Sequence, residues 1–401
     1  LGVLVKARWD LRALVVGTGL QVLGALLEED REGFCGPWHR PQADRRAYRH
    51  GHDEGVLVLG GRKVRLERPR VRSVEGEEIE LPTWAALRRE DPLDERVQSQ
   101  LVLGVSTRRY GESLEALDGE HESVGVSKSS VSRRFVARTA EQVEAYLSRP
   151  LGGVDLPVVM VDGTGLGDHV MVVALGIDRA GRKHILGVVE GTTESEAVCR
   201  RLFADLIERG LAVERARLFV IDGGKGLRRA IRTSFGAWAV VQRCQVHKKR
   251  NVGDHLPKRR QAWVKAAMSR AWTAETSREA KRKLEDLAAA LAAEHPGAAA
   301  SLREGLEETL TLTALGVQGA LFRTLCSTNP IENLQGTIQH VARKVKRWRG
   351  GSMALRWAVT GLVEASKKFR RIRGHRGMDQ LVTALDALVA NNSLDKATKV
   401  A

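Results

Sequence analysis

Two apolar runs in this chain lead into an acid followed by glycine. Val158-Val159-Met160-Val161 precedes Asp162-Gly163, and Leu218-Phe219-Val220-Ile221 precedes Asp222-Gly223-Gly224. An acid just past a buried strand places its carboxylate at the C-terminal edge of a sheet, where α/β proteins build their sites. Two such carboxylates on neighbouring strands repel each other if both are ionised and unpaired. A divalent cation removes that conflict, and an all-oxygen ligand set suits Mg²⁺ or Mn²⁺. The competing reading is a pair of Asp-Gly turns; the matched placement in a basic chain favours the metal. A third acid, Glu332, lies in Ser327-Thr328-Asn329-Pro330-Ile331-Glu332-Asn333. Asn329 suits a helix N-cap, Pro330 the first helical position and Glu332 the third, so a capping box is the competing role for this carboxylate. Ile331, Leu334, Ile338, Val341, Val345 and Trp348 form an apolar stripe at helical spacing. Glu332, Gln335, Gln339, Arg343 and Lys346 fall on the opposite face, as expected for a carboxylate working beside a phosphate backbone.

The elements that would position these acids follow from the pattern. Strand-like runs at Val154–Asp162, Val170–Asp178 and Lys183–Glu190 have short links and are expected to pair antiparallel. A helix from about Glu194 to Arg209, a strand at Arg217–Asp222, a helix at Leu227–Phe235 and a strand at Ala237–Val241 follow, an alternation that requires parallel crossovers. From Asn251 to about Gly319 the chain is rich in Ala, Leu, Glu and Lys/Arg at helical spacing and is expected to be an all-helical insertion, interrupted at His295-Pro296-Gly297. Residues 321–376 hold 13 Lys/Arg against two acids, Glu332 and Glu364.

Before residue 150 the reading is mainly helical with one small β-hairpin. An apolar helix-like start ends in a polar loop, Pro41–His52. Gly55–Arg72 contains two β-rich runs around Gly60-Gly61, the dipeptide of a tight hairpin, with Arg68, Arg70 and Arg72 along the second; a third short run is Glu78–Leu81. Residues 83–148 read as helical. Within them, Gly111–Leu117 and the segment from Ser127 suggest a helix-turn-helix, with Ser127 or Ser129 as cap and Lys128, Arg133 and Arg134 in the first turns of the second helix. Short polar and basic side chains there suit contacts to base edges and phosphates; an ordinary capped surface helix is the alternative.

The full chain has 401 residues, 65 Lys+Arg against 49 Asp+Glu, and a net charge of +16. That length calls for more than one domain, and 43% hydrophobic residues excludes wholesale disorder. The basic balance points to an anionic partner, above all nucleic acid. No uncharged run of membrane-spanning length occurs and Ala13–Leu27 lacks a cleavage site, so neither a membrane span nor a signal peptide is expected. Four cysteines, at 35, 199, 244 and 326, build no disulfide framework and suit a reducing cytoplasm. Gly163-Thr164-Gly165-Leu166-Gly167 mimics a dinucleotide loop, but a strand follows it. Gly223-Gly224-Lys225-Gly226 lacks the spacing of a P-loop. Cys244-Gln245-Val246-His247 has half of a zinc-like spacing without a second pair.

The sequence resembles the Mutator-type transposases of bacterial insertion sequences. The residues carrying the resemblance are Val161-Asp162-Gly163-Thr164, Arg209-Gly210-Leu211 ahead of Val220-Ile221-Asp222-Gly223, the block from Gln242 to Asn251 containing Gln-Arg-Cys-x-x-His, and Ser327-Thr328-Asn329-Pro330-Ile331-Glu332; together they span roughly 95–376. The resemblance implies an RNase H-like catalytic core with a mixed sheet, an Asp-Asp-Glu triad at Asp162, Asp222 and Glu332, and a helical insertion before the Glu. The 110 positions from Asp222 to Glu332 accommodate that insertion. Cys244 and His247 map onto the family's Cys-x-x-His signature near the active site. There, His247 has two open roles: contact with the scissile phosphate or a carboxylate, or a turn contact with Cys244. The implied cofactor is a pair of Mg²⁺ (or Mn²⁺) ions about 3.5–4 Å apart, serving end cleavage and 3′-hydroxyl strand transfer alike. The implied partner is double-stranded DNA, both terminal inverted repeats and target, with a homodimer bringing two ends together in a bacterial, nucleoid-associated setting. Arg343, Lys344, Lys346, Arg347 and Arg349 would track phosphates near the cut. The alternatives are an RNase H-fold structure-specific nuclease and a non-catalytic DNA-binding protein descended from a transposase. The expected organisation is 1–90 with the hairpin, 91–150 helical and DNA-binding, 151–250 core, 251–320 insertion, 321–376 the Glu helix and basic helices, and 377–401 a terminal helix and tail.

Overall fold

The computed structural model describes residues 2–40, 46–91, 93–114 and 123–400, in two compact units, 1–141 and 142–401. The division falls inside a helix, ahead of the boundary at 150 that the sequence suggests. Among the described residues, no helix is long and apolar enough to cross a membrane.

The first unit begins with α1 (Gly2–Cys35). Strands β1 (Ala47–Leu59) and β2 (Arg62–Ser73) form the hairpin, with Gly60 and Gly61 at φ 59° and 82°. Positive φ at both central residues defines a turn whose twist matches the strands, and glycine adopts it without strain. The hairpin is longer than its sequence pattern suggests. Part of the expected Pro41–His52 loop, 41–45, lies outside the described residues, but β1 already runs from Ala47 through a bulge between Arg49 and His52. β3 (Glu78–Ile79), α2 (Pro82–Arg89) and α3 (Asp94–Leu103) follow. β3, at the expected third run, and β4 (Ser123–Gly125), which the sequence did not suggest, both pair with β2 and make the sheet four-stranded. The helix expected over Gly111–Leu117 is a three-residue 3₁₀ turn at Gly111–Ser113, with 115–122 outside the described residues. α4 (Lys128–Ser148) starts directly after Ser127. Asp91 ties this unit together: its buried carboxylate accepts from Gly60 N (2.8 Å), Gly61 N (2.9 Å), Leu93 N (3.0 Å) and Arg134 Nη1 (3.1 Å).

The second unit is built on a five-stranded mixed sheet. β5 (Val158–Leu166), β6 (His169–Ile177) and β7 (Lys183–Gly191) are antiparallel neighbours. α5 (Glu196–Glu208) leads to β8 (Arg217–Ile221), and α6 (Lys225–Phe235) to β9 (Ala239–Arg243). β8 lies parallel to β5 and β9 parallel to β8, so the order across the sheet is β7-β6-β5-β8-β9. This is the mixed sheet that the link lengths imply.

Strand alternation gives the sheet two buried faces. Val159, Val161, Phe219 and Ile221 pack with Phe203, Leu206, Ile231 and Phe235 of α5 and α6. Val158, Met160, Leu218 and Val220 face a layer of later helices. Between them comes the insertion: α7 (Gln245–Asp254), α8 (Lys258–Trp272), α9 (Ser277–Ala292), α10 (Pro296–Arg303) and α11 (Thr311–Ala314). It starts at Gln245, earlier than its composition suggests, and Pro296 opens α10 at the expected break. Val264, Met268, Trp272, Leu284 and Leu302 give it a core of its own. α12 (Gly319–Leu325), α13 (Asn329–Ala342), α14 (Gly351–Ser366) and α15 (Met378–Val400) complete the unit.

Candidate active site

Asp162 and Asp222 share the parity of Val158, Met160, Leu218 and Val220, so both point to the face covered by α13. Asp162 is not past the end of its strand. It is paired with Val173 inside β5, because the β5–β6 hairpin continues to Leu166–His169. On the other side, the parallel pairing with β8 is last seen at Met160–Val220. Asp162 therefore stands at the sheet's edge relative to β8, and Asp222 follows the last residue of that strand.

A third acid joins them, and it is not Glu332. One carboxylate oxygen each from Asp162, Glu194 and Asp222 lie within 4.8 Å of one another. Glu194 belongs to the short segment between β7 and α5, just before Ser195, whose hydroxyl caps α5 by accepting from Val198 N. Gly163 N donates to Asp162 Oδ1 (2.9 Å) and Gly224 N to Asp222 Oδ1 (2.8 Å). Burial, then the Asp222 charge, pushes Asp162 up to about 6, against the pull of Gly163 N–H, His247 and Gln335. Burial, then Asp222 and Asp162, pushes Glu194 up to about 8. Glu194 Oε1 is buried without a hydrogen-bond partner. Three crowded carboxylates, one with an orphaned oxygen, fit a divalent cation with oxygen ligands.

Glu332 belongs to a second group, with Cys244 and His247. Cys244 is the N-cap of α7, and its Sγ accepts from His247 N and Thr328 N, both at 3.4 Å. Thr328 precedes α13; its hydroxyl donates to Glu332 Oε1 (2.6 Å) and lies 3.3 Å from His247 Nδ1. The capping-box role for Glu332 is therefore not what forms: its carboxylate takes a side-chain hydroxyl. The contact with Cys244 raises the His247 pKa against burial, and the charges of Cys244, Glu332 and Asp222 raise it further. Burial would raise the Cys244 thiol, but hydrogen bonds from His247 and Thr328 outweigh it and hold the thiol below its ordinary value. His247 thus lies in the field of both acidic groups. One turn after Glu332, Gln335 turns toward Asp162, and Gln339 Nε2 donates to Thr164 Oγ1 (3.0 Å), fastening α13 along β5.

The rest of the Gln242–Lys248 block is structural. Gln242 Nε2 donates to Arg243 O and Thr309 O, and its Oε1 accepts from Leu312 N. Lys248 Nζ donates to Ser301 O and Glu304 O. Arg243 bonds Glu304 O (2.9 Å), and its guanidinium lies where a Cβ on Gly223 would be, 2.1 Å from Nε. Gly223, at φ 108°, is the residue that lets the turn after Asp222 rest on this arginine. These bonds attach the helical insertion to the edge of the sheet that carries Asp222.

The basic residues differ in exposure and in partners, and Arg343 Nη1 donates to His340 O. Helix α13 stops at Ala342, so Val345 and Trp348 do not extend its stripe; Trp348 packs over the β5–β6 turn, where a Cβ on Gly167 would sit 2.2 Å from its ring. Arg343, Lys344, Lys346, Arg347 and Arg349 are exposed on the segment leaving that helix, not on the helix itself. In the first unit Lys128 and Arg133 are exposed, while Arg134 is engaged by Asp91. Arg68 is paired with Asp53 (2.6 Å) and Arg70 with Glu78 (2.7 Å), so these hairpin arginines already have carboxylate partners.

The family model described as "Transposase, Mutator family" matches residues 13–371, and the chain belongs to that family. Among its curated relatives, the transposase for insertion sequence element IS1081 of Mycobacterium tuberculosis is 26% identical over 92% of this chain and 88% of its own. The transposase for IS256 in transposon Tn4001 of Staphylococcus aureus is 30% identical over 81% and 82%. That for IS406 of Burkholderia multivorans is 27% identical over 84% and 86%.

Proposed function

We propose that this chain is the transposase of an insertion sequence and that it cuts and joins DNA at Asp162, Asp222 and Glu332. The observation that carries the reading is the convergence of Asp162 and Asp222, from two adjacent parallel strands, in a half-buried acidic group beside the helix that bears Glu332. We read the sheet as an RNase H-like core. The proposed cofactors are two Mg²⁺ or Mn²⁺ ions held by these three acids; when bound they neutralise charge and act as Lewis acids at the phosphate.

The reaction is in-line substitution at phosphorus. Water attacks the phosphodiester at the element end, the P–O3′ bond breaks, and a 3′-hydroxyl is released. That hydroxyl then attacks a target phosphodiester, forming a new P–O bond as another P–O3′ bond breaks. Around these steps the chain's residues orient and hold charge. Asp162 and Asp222 are fixed by the Gly163 and Gly224 amides. Glu332 is fixed by Thr328. His247, biased toward its protonated form, donates to a phosphate oxygen between the two acidic groups. Arg343, Lys344, Lys346, Arg347 and Arg349 hold the flanking backbone by charge, which carries no sequence information. Lys128 and Arg133 at the start of α4 are the proposed base-reading contacts, a role that a helix-turn-helix would give them. Two DNA ends call for a homodimer.

The test is cleavage of terminal-repeat DNA by Asp162→Ala, Asp222→Ala and Glu332→Ala. Each change should abolish metal-dependent nicking while DNA binding survives. Wild-type nicking by Glu332→Ala would leave that residue as a partner of Thr328 and nothing more.

A further inference from the structure

We propose that Glu194 is a third carboxylate ligand of the divalent cation held by Asp162 and Asp222, a role outside the Asp162, Asp222 and Glu332 set. The inference rests on the reading of Asp162 and Asp222 as a cation site.

Glu194 arrives from the opposite side of the sheet. The helix it precedes, α5, packs on the face of Val159, Val161 and Ile221, whereas Asp162 and Asp222 point to the α13 face. To meet them its side chain must pass over residue 163. That residue is glycine, and a Cβ there would lie 2.9 Å from Glu194 Oε2 and 3.3 Å from Val170 Cγ1. Gly224 clears the other side: its Cβ would lie 3.7 Å from Glu194 Oε1 and 3.4 Å from Asp222 Oδ1. Gly226 admits the backbone, because a Cβ there would lie 2.9 Å from Glu196 N and 3.2 Å from Glu194 O. The glycines after the two aspartates thus shape a cradle for the Glu194 carboxylate.

The cradle ends in unmet bonding capacity. Glu194 Oε1 is shielded from solvent and has no donor. On the far side of the cluster, Gln335 is only 8% exposed and its Nε2, beside Asp162, meets no acceptor in hydrogen-bond geometry. A divalent cation would satisfy the first atom. The amides of Gly163 and Gly224 already serve Asp162 and Asp222, so the nearby backbone donors are spent before they reach Glu194. Glu332 sits in the neighbouring group with His247 and Cys244, so Glu194 is the acid best placed to complete this one.

The experiment is Mn²⁺ titration of the full-length protein, read by electron paramagnetic resonance of free Mn²⁺, without DNA. Wild type is compared with Glu194→Gln, Glu194→Asp, Gly163→Ala and Asp222→Asn, each first checked for native circular dichroism. Glu194→Gln should weaken Mn²⁺ binding by roughly tenfold or more, at least the effect of losing an outer-shell partner. Glu194→Asp keeps the charge and loses the reach, and Gly163→Ala keeps the acid and blocks its path; both should weaken binding in the same direction. Wild-type affinity in Glu194→Gln together with loss in Asp222→Asn would overturn the role of Glu194 and leave the two-aspartate site standing. Wild-type affinity in both variants would overturn the cation site as well. If Glu194→Gln does not fold, Gly163→Ala decides: unchanged affinity there overturns the inference.

Discussion

Neutralising Asp162 should make the metal-free protein more stable while destroying its activity. Asp162 is 9% exposed and its pKa moves from an ordinary 3.8 to about 6, through burial first and Asp222 second. For an acid the sign is fixed by which state holds the proton. Between these values the unfolded chain has already ionised while the folded chain still binds the proton. Stability therefore falls as pH rises through that window, and the full cost is present above the folded value. A gap of about two pH units at 1.36 kcal/mol each costs about 3 kcal/mol near pH 7.5. Asn at 162 removes the charge and retains an oxygen to accept from Gly163 N. At about 2–4 °C per kcal/mol for a unit of this size, Asp162→Asn should raise the melting temperature of the second unit by about 6–12 °C in chelator at pH 7.5. The gain should vanish near pH 4. Saturating Mg²⁺ should raise the wild type and have little effect on the variant, because ligand binding to the folded state adds stability by mass action. The assay is differential scanning calorimetry at the two pH values, with chelator and with Mg²⁺. A variant no more stable than wild type in chelator at pH 7.5 would mean that neither burial nor Asp222 penalises the Asp162 charge in the folded chain.

Three further outcomes follow from particular contacts. Replacing Arg343, Lys346 and Arg347 together with Ala should weaken binding to all DNA sequences and flatten the dependence of affinity on salt, as measured by titration at several salt concentrations. Asp91→Ala strands the amides of Gly60 and Gly61 and releases Arg134, and should lower stability by about 2–4 kcal/mol in urea unfolding of the first unit. Thr328→Val removes the donor to Glu332 while keeping shape, and should lower the rate of end cleavage by about tenfold or more with DNA affinity unchanged, measured by single-turnover nicking.

Much of the second unit was legible because its pattern is local. Apolar runs with short links mark β5 to β7, and strand–helix alternation marks β8 and β9. Asp162 and Asp222 stood out because each follows such a run. What escaped depends on partners far away in the chain. Asp162 reads as the residue after a strand, yet β6 carries the pairing on to Leu166, and no feature of Gly163-Thr164-Gly165 alone announces that. Glu194 carries no motif. It is an acid before a Ser cap, and its approach to Asp162 depends on what Gly163 and Gly226 lack. The only signal available was the excess of glycine after both aspartates. The stripe ending in Val345 and Trp348 continues the helical period by coincidence; Trp348 is claimed by the β5–β6 turn instead. In the first unit, β4 pairs with β2 across some 60 positions, which local periodicity cannot see.

Joining of DNA at Asp162, Asp222 and Glu332 can be observed as a product. The most direct measurement supplies full-length protein with terminal-repeat DNA already cut to a 3′-hydroxyl, together with a supercoiled plasmid and Mg²⁺ or Mn²⁺. A covalent joint between the repeat and the plasmid should form. That product should require the metal and the 3′-hydroxyl, and it should be absent with Asp222→Asn. Equal joining by wild type and Asp222→Asn would place the chemistry outside this acidic site.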